Sequence, residues 1–265
     1  MSVAVGVDVG ATKLAAARVD VRDGRVLAAL RRPTEPARGG RAVLHDVRAM
    51  VDELRERDPG LPAGIAVCEL VDPHGRVRSA ETIDWRRTDL HAAFAAVESD
   101  VRAAAAAEAR FGAGGADFLY VSVGSGISHC LVADGVPRAG VHGSAICTGA
   151  PLVEQWSSGL ALAGRSGHAT AEAALADPAA EGVVAEGAER LGAVLAVLVN
   201  ALDPGAVVVG GGLGLHDGYR ARVAAALRDA VYDEAAREIP VVPAALGADA
   251  PVIGAALAAA RNEAR

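Results

Sequence analysis

One pattern occurs twice in this chain and limits what it can fold into. Residues 3–20 read VAVGVDVGATKLAAARVD, and residues 118–135 read FLYVSVGSGISHCLVADG. Each is an apolar run, a short polar turn containing glycine, and a second apolar run, which predicts strand, turn, strand. The Asp-Gly pairs at 23–24 and 134–135 predict a further turn after each. A third glycine turn, AVVVGGGLG, closes a strand at 206–210. Between these, residues 41–57 place Val43, Leu44, Val47, Met50, Val51 and Leu54 on one helical face. Residues 63–72 predict a buried strand running into a loop, and 73–77 a turn. A short helix is expected over 89–96, with Leu90 and Phe94 inward, interrupted at 98–100 before a strong helix over 101–111. Helices are also expected at 182–202, 217–231 and 250–264, and a short strand at 240–244. The economical reading is an α/β chain of two similar halves, 1–100 joined by the closing helix 250–265, and 101–249. Ligands would bind in the crevice between them.

The glycine turns suggest what such a ligand is. Each frees backbone N–H groups at a strand end, where no side chain blocks close approach, and a concave set of N–H dipoles suits phosphate oxygens. In the first turn Asp8 adds a carboxylate able to hold hydrated Mg²⁺, with Gly10, the Thr12 hydroxyl and the Lys13 cation beside it. An ordinary glycine hairpin is the alternative, and a Walker A loop is excluded because the Gly-Lys-Ser/Thr run and following helix are missing. The second turn offers Gly124, Ser125 and Gly126, and the third Gly210, Gly211 and Gly212. Three such turns in one chain favour a nucleotide.

Composition narrows the partners. The net charge is −7 and no basic face stands out, which argues against nucleic acid. The three cysteines, Cys68, Cys130 and Cys147, show no paired spacing, so a reducing, cytoplasmic setting is expected rather than a disulfide framework. No signal segment or membrane-length apolar run is apparent, and no membrane partner is expected.

In combination and order these motifs resemble the ROK family (repressors, open reading frames, kinases) of the sugar kinase, Hsp70 and actin superfamily. GVDVGATKL resembles its first phosphate motif, GIAVCELVDPHGRV its substrate strand and turn, and ESDVRAAAAAEARFG its Glu-Asn-Asp segment with the following helix. VSVGSGI resembles the second phosphate motif, LDPGAVVVGGGLG the adenosine motif, and GADAPVIGAALAA the closing helix. The resemblance implies a two-domain, actin-like (ribonuclease H-like) ATPase fold with the active-site cleft between domains. It also implies ATP-dependent phosphorylation of a sugar-like hydroxyl, with Asp100 as general base. A carboxylate at a helix N-terminus suits that role, since phosphoryl transfer asks the protein chiefly to position the nucleophile and neutralise charge. Capping the helix 101–111 is the alternative role for Asp100.

The departures from the family pattern concern the acceptor. Ser99 stands where an Asn usually binds the sugar, and Cys68-Glu69 replace Pro-Gly. Glu69 is either a replacement acceptor ligand or an exposed turn residue. After GVHGSA the family has Glu-x-Gly-His, whereas this chain has Cys147-Thr148-Gly149-Ala150. The zinc-binding Cys cluster is also missing, so no zinc is expected. His142 is a substrate-side or packing residue. Glu154 matches the Glu that contacts sugar in the family, with a surface role as its alternative. Together these residues imply a zinc-free kinase using ATP and Mg²⁺, the latter held by Asp8 through water. Its acceptor is expected to be a sugar or cyclitol rather than a common hexose. A hexose kinase of the glucose type and a catalytically silent sugar-binding relative remain as alternatives. A repressor is not expected, because the first strand begins by Val3 and leaves no room for a helix-turn-helix ahead of it. A homodimer is expected.

Overall fold

A computed structural model describes residues 2–143 and 152–263. In chain order the chain begins with β1 (Val3–Val9), β2 (Lys13–Asp20), β3 (Arg25–Pro33), α1 (Gly40–Arg55) and β4 (Ala63–Val67). Next come β5 (Ala96–Ser99), α2 (Asp100–Phe111), β6 (Phe118–Val123), β7 (Ile127–Ala133) and β8 (Val136–Pro137). Then follow α3 (Glu154–Ser157), α4 (Gly159–Ser166), α5 (Ala171–Ala176), α6 (Glu181–Leu202) and β9 (Val207–Gly210). The last are α7 (Asp217–Ala230), β10 (Val241–Pro243) and α8 (Ala250–Glu263). No helix among the described residues is long and apolar enough to cross a membrane.

Two compact units result. The first holds residues 2–111, 137–143 and 249–263, and the second 112–136 and 152–248. The first boundary therefore lies after α2 rather than before it. The reason is packing: α2 lies against α8, so it stays with the first unit.

Each unit has one mixed five-stranded sheet. The orders are β3-β2-β1-β4-β5 and β10-β9-β6-β7-β8. Read from the strand that opens each repeat, both run first to second to third in one direction and first to fourth to fifth in the other. In both, the first two strands form an antiparallel hairpin across the glycine turn, and the first and fourth are parallel. The repeat seen in the sequence is thus a repeat of topology. The turns differ by one residue: Val9 pairs with Leu14, whereas Val123 pairs with Ile127.

In the first unit the two faces of β1 are built differently. Val5, Val7 and Val9 join Leu14, Ile65 and Val67 under the apolar face of α1, where Val43, Leu44, Val47, Met50, Val51 and Leu54 are all buried. The opposite face is made of small residues, with Ala66, Ala103 and Ala255 in contact. There α8 comes so close that a Cβ on Gly6 would collide with the Val252 carbonyl, and one on Gly254 with the Ala103 carbonyl of α2. Branched side chains fill one layer, and backbone-to-backbone approach closes the other. Asp8 lies on this small-residue face, by strand alternation.

Two expectations need correction here. Residues 96–99 form a strand, β5, parallel to β4 with Val67 opposite Ser99. The segment before it is not a helix. Leu90 and Phe94 are buried as expected, but through a single turn in which the Phe94 N–H donates to the Leu90 carbonyl at 3.0 Å. The turn is not propagated, because from Ala96 the chain extends as β5 beside β4.

In the second unit Leu119, Val121 and Val123 of β6 pack with Val184, Ala188, Leu191, Leu195 and Val199 of α6 and Val223 and Leu227 of α7. These helices cover one face of the sheet, as α1 covers its counterpart.

Candidate active site

Parallel pairing aligns the carboxyl ends of β1, β4 and β5. Val9, Val67 and Ser99 share one row, so Asp8, Cys68-Glu69 and Asp100 gather at the same end of the first sheet. The Cys68 N–H extends the ladder by donating to the Val9 carbonyl at 3.2 Å. The carboxyl ends of parallel strands are where open α/β sheets hold their ligands.

The electrostatics at this end are dominated by acids. The Asp8 Oδ1 is buried without a hydrogen-bond partner. Burial, reinforced by the charge of Asp100, pushes the Asp8 carboxyl up to about 8. Burial also raises Asp100 to about 6, against the Val101 N–H, which donates to its Oδ1 at 2.7 Å; the charge of Glu69 adds to the rise. Burial and then the Asp100 charge push the Cys68 thiol up to about 12, although a hydrogen bond with Thr82 opposes the shift. Asp100 begins α2, where the free N–H groups of a helix start favour a carboxylate.

The turn at 10–13 closes on itself, with the Gly10 N–H donating to the Lys13 carbonyl at 3.0 Å. Thr12 and Lys13 are exposed. The turn is also gripped by a residue that the sequence reading missed. Thr34, fully buried at the end of β3, donates its N–H to the Thr12 carbonyl at 3.2 Å and its hydroxyl to the Gly10 carbonyl at 2.7 Å.

The acceptor-side candidates differ in burial and partners. Glu69 is neither an exposed turn residue nor a free carboxylate. It is 5% exposed, and its oxygens accept hydrogen bonds from Ser79, Glu81, Thr82 and Ile83. Ser99 is buried as well, and its hydroxyl accepts the Arg102 N–H at 3.4 Å, as a cap on α2. His142 is exposed, and the next residue, Gly143, packs on the Val71 backbone. Residues 147–150, where the departures from the Glu-x-Gly-His pattern fall, lie outside the described residues.

In the second unit Gly124, Ser125 and Gly126 form the tight turn, with the Gly124 N–H donating to the Gly126 carbonyl at 2.9 Å. It too is held from outside. The Gly159 N–H donates to the Gly124 carbonyl at 2.7 Å, and Glu154 Oε2 accepts the Ile127 N–H at 2.7 Å. A Cβ on Gly126 would stand 2.7 Å from that carboxylate oxygen. Glu154 is therefore at least half committed to the turn rather than free for a ligand. The helix that begins with Glu154 is fixed in turn by Trp156. The guanidinium groups of Arg165, at 4.4 Å, and Arg190, at 3.8 Å, both lie over its ring, and both are bound by Glu186.

Gly210, Gly211 and Gly212 adjoin the same turn. Gly211 has φ +79° and packs against the Val123 backbone, and the N–H groups of Leu213 and Gly214 both donate to the Val123 carbonyl at 3.0 Å. The structure thus brings the second and third glycine turns together at the carboxyl ends of β6 and β9.

A sequence profile of the ROK family matches residues 4–155 and 145–262. The chain belongs to the ROK family. Among curated relatives, the bifunctional enzyme NanE/NanK of Brucella melitensis is 34% identical over 180 residues, covering 60% of this chain. The chain spans about a third of that relative's length, 34%. A glucokinase of Streptomyces coelicolor is 28% identical over 265 residues, covering 80% of this chain and 83% of its own length. In three dimensions the ROK member superposes on a ROK family glucokinase from Streptomyces griseus, solved with glucose and AMPPNP. The TM-score is 0.78 with 27% identity, covering 98% and 99% of the two chains. A ROK hexokinase from Thermus thermophilus gives a TM-score of 0.77 with 28% identity over 99% of both chains. The fold is that of the actin-like sugar kinases.

Proposed function

We propose that this ROK member is an ATP-dependent kinase of a hydroxyl on a sugar or a sugar-like carbocycle. The observation that carries the reading is the pair Asp8 and Asp100 at the carboxyl ends of β1 and β5, the two strands that flank β4, one with an orphaned oxygen and the other with a carboxyl raised to about 6. The names of the relatives, glucokinase and hexokinase among them, support a sugar acceptor, and the AMPPNP in the Streptomyces griseus structure supports ATP as donor.

In this reading Asp100 holds the acceptor hydroxyl and takes its proton as the oxygen bonds to the γ-phosphorus and the bond to ADP breaks. A base with a pKa near 6 is ionised at neutral pH yet basic enough to accept a proton in the transition state. The donor set suits Mg²⁺. Asp8 presents a hard, unpartnered oxygen on a carboxyl that a bound cation would deprotonate, and among the described residues no three His, Cys, Asp or Glu side chains converge on one ion. Asp8 would therefore hold the ion through its hydration shell, as Mg²⁺ prefers. When bound, Mg²⁺ neutralises phosphate charge. In the first unit, Gly10, Thr12 and Lys13 would meet phosphate oxygens. In the second, the turn of Gly124, Ser125 and Gly126 would do so, with the Gly124 N–H itself spent on the Gly126 carbonyl, and the run Gly210–Gly212 would lie against the adenosine by close backbone approach. No zinc takes part.

The altered acceptor positions favour a cyclitol or an unusual sugar, while the relatives' names favour a plain hexose. Coupled ADP release measured across hexoses, amino sugars and cyclitols decides between them. Turnover on a cyclitol at least about ten-fold above glucose in kcat/KM supports the first. ADP release with no acceptor in the panel would refute the kinase reading.

A further inference from the structure

Among the described residues, Glu69 makes its side-chain hydrogen bonds to a single stretch of chain. Oε1 accepts the N–H groups of Thr82 and Ile83, each at 2.8 Å. Oε2 accepts the Glu81 N–H at 3.0 Å and the Ser79 hydroxyl. A carboxylate offers about four lone-pair directions, and all are filled. The carboxylate serves as the centre around which residues 79–83 wrap.

That stretch has fixed ends. Before it, Val71 and Val77 bridge a hairpin whose bend is held by Asp72, and the Ser79 hydroxyl also accepts the Leu70 N–H at 2.9 Å. After it, Ile83 and Trp85 are buried in the first unit's core. In the middle, the donors of Glu81, Thr82 and Ile83 meet Glu69, which follows Cys68 directly, and the Cys68 N–H sits in the row of Val9, Val67 and Ser99 that ends at Asp100. The segment is therefore presented at the strand ends where Asp100 lies, and Glu69 sets its shape.

We infer that Glu69 is a positioning residue for acceptor selection: it acts on the acceptor through residues 79–83, above all Thr82, and does not touch the acceptor itself. This rests on the kinase reading above. An anion encircled by N–H and O–H donors is rigid, because releasing any donor leaves a buried group unpaired. Removing the carboxylate should loosen the wall while leaving the nucleotide turns alone.

The test uses Glu69→Gln, Ser79→Ala and Thr82→Val in the full chain. Gln keeps one acceptor oxygen, so the protein should fold, and Ser79→Ala removes the hydroxyl's two bonds, to Glu69 and from the Leu70 N–H. Glu69→Gln is expected to raise the acceptor KM by about ten-fold or more, with the AMPPNP Kd changed by less than about two-fold. It should also speed tryptic cleavage after Arg78 and Arg86, both exposed beside the segment. Ser79→Ala should do the same to a smaller degree. Combining Glu69→Gln with Thr82→Val should give less than the product of the two separate effects, since one acts through the other. A direct ligand role would instead raise KM without changing cleavage, and independent multiplication of the two effects would also overturn the inference. So would normal acceptor kinetics in Glu69→Gln. A wild-type chain that phosphorylates no acceptor overturns the kinase reading and the inference with it, whereas an active wild type with an unaffected Glu69 variant overturns the inference alone.

Discussion

The Thr34 hydroxyl donates to the Gly10 carbonyl at 2.7 Å, tying the end of β3 to the first glycine turn across 24 residues of chain. Together with the Thr34 N–H bond to Thr12, this fixes the turn from a fully buried side chain. Thr34→Val keeps the shape and removes one buried hydrogen bond. The expected result is a stability loss of about 1 kcal/mol and an AMPPNP Kd raised by roughly three- to ten-fold. Denaturant melts and calorimetric titration check the two. An unchanged Kd would mean that the turn keeps its shape without Thr34.

Glu154 plays the comparable part in the second unit. Glu154→Ala removes the acceptor of the Ile127 N–H and should weaken AMPPNP binding measured without any acceptor, by about five-fold. If Glu154 contacts the acceptor instead, nucleotide affinity should stay constant and acceptor KM alone should rise. Gly126→Ala, which drives a methyl toward the carboxylate, should mimic Glu154→Ala.

With Asp100 as the proposed base, activity and stability should depend on pH in opposite directions. Its folded pKa, about 6, lies above the ordinary 3.8. Below about pH 4 the carboxyl is protonated in both folded and unfolded chains and carries no penalty. Between about 4 and 6 the folded chain retains a proton that the unfolded chain has lost, so stability falls as pH rises, by on the order of 3 kcal/mol in all. Turnover should rise over the same range, with an acid limb near pH 6. Asp100→Asn should cut kcat by about 10²–10⁴-fold. It should melt above wild type at pH 8 and close to it at pH 4. A variant that melts lower than wild type at pH 8 would contradict the burial argument.

Gly254→Ala tests the close layer. The added methyl meets the Ala103 carbonyl of α2, a backbone atom with no rotamer to yield. A loss of about 1–3 kcal/mol is expected despite the better helix propensity of Ala. A stabilised Gly254→Ala protein would show that α2 and α8 can part at little cost.

Much of this was legible because periodicity reports burial. The helical face from Val43 to Leu54 and the paired hairpins follow directly from apolar spacing. β5 was not legible, since AVES is four residues long and runs into α2 without a breaker. Glu69 was misread for a different reason. Its partners lie 10 to 14 residues downstream, in a loop with no pattern of its own, and nothing local says that four donors will turn inward to meet it. Thr34 likewise acts on a turn 24 residues away. Hydrogen bonds that cross the fold leave no period in the sequence.

The placement of α8 also sets an order of events during synthesis. The second unit's described elements are complete once β10 has been made, but the first unit waits for its final helix to cover β1, β4 and α2. From Phe111 to Glu263 the ribosome needs roughly 8–30 seconds, at about 5–20 residues per second. Through that interval the α1 side of the first sheet can already be shut, because β1 to β5 and α1 precede the delay. The surface left waiting is the one lined by glycine and alanine, with few large side chains to catch a neighbouring nascent chain.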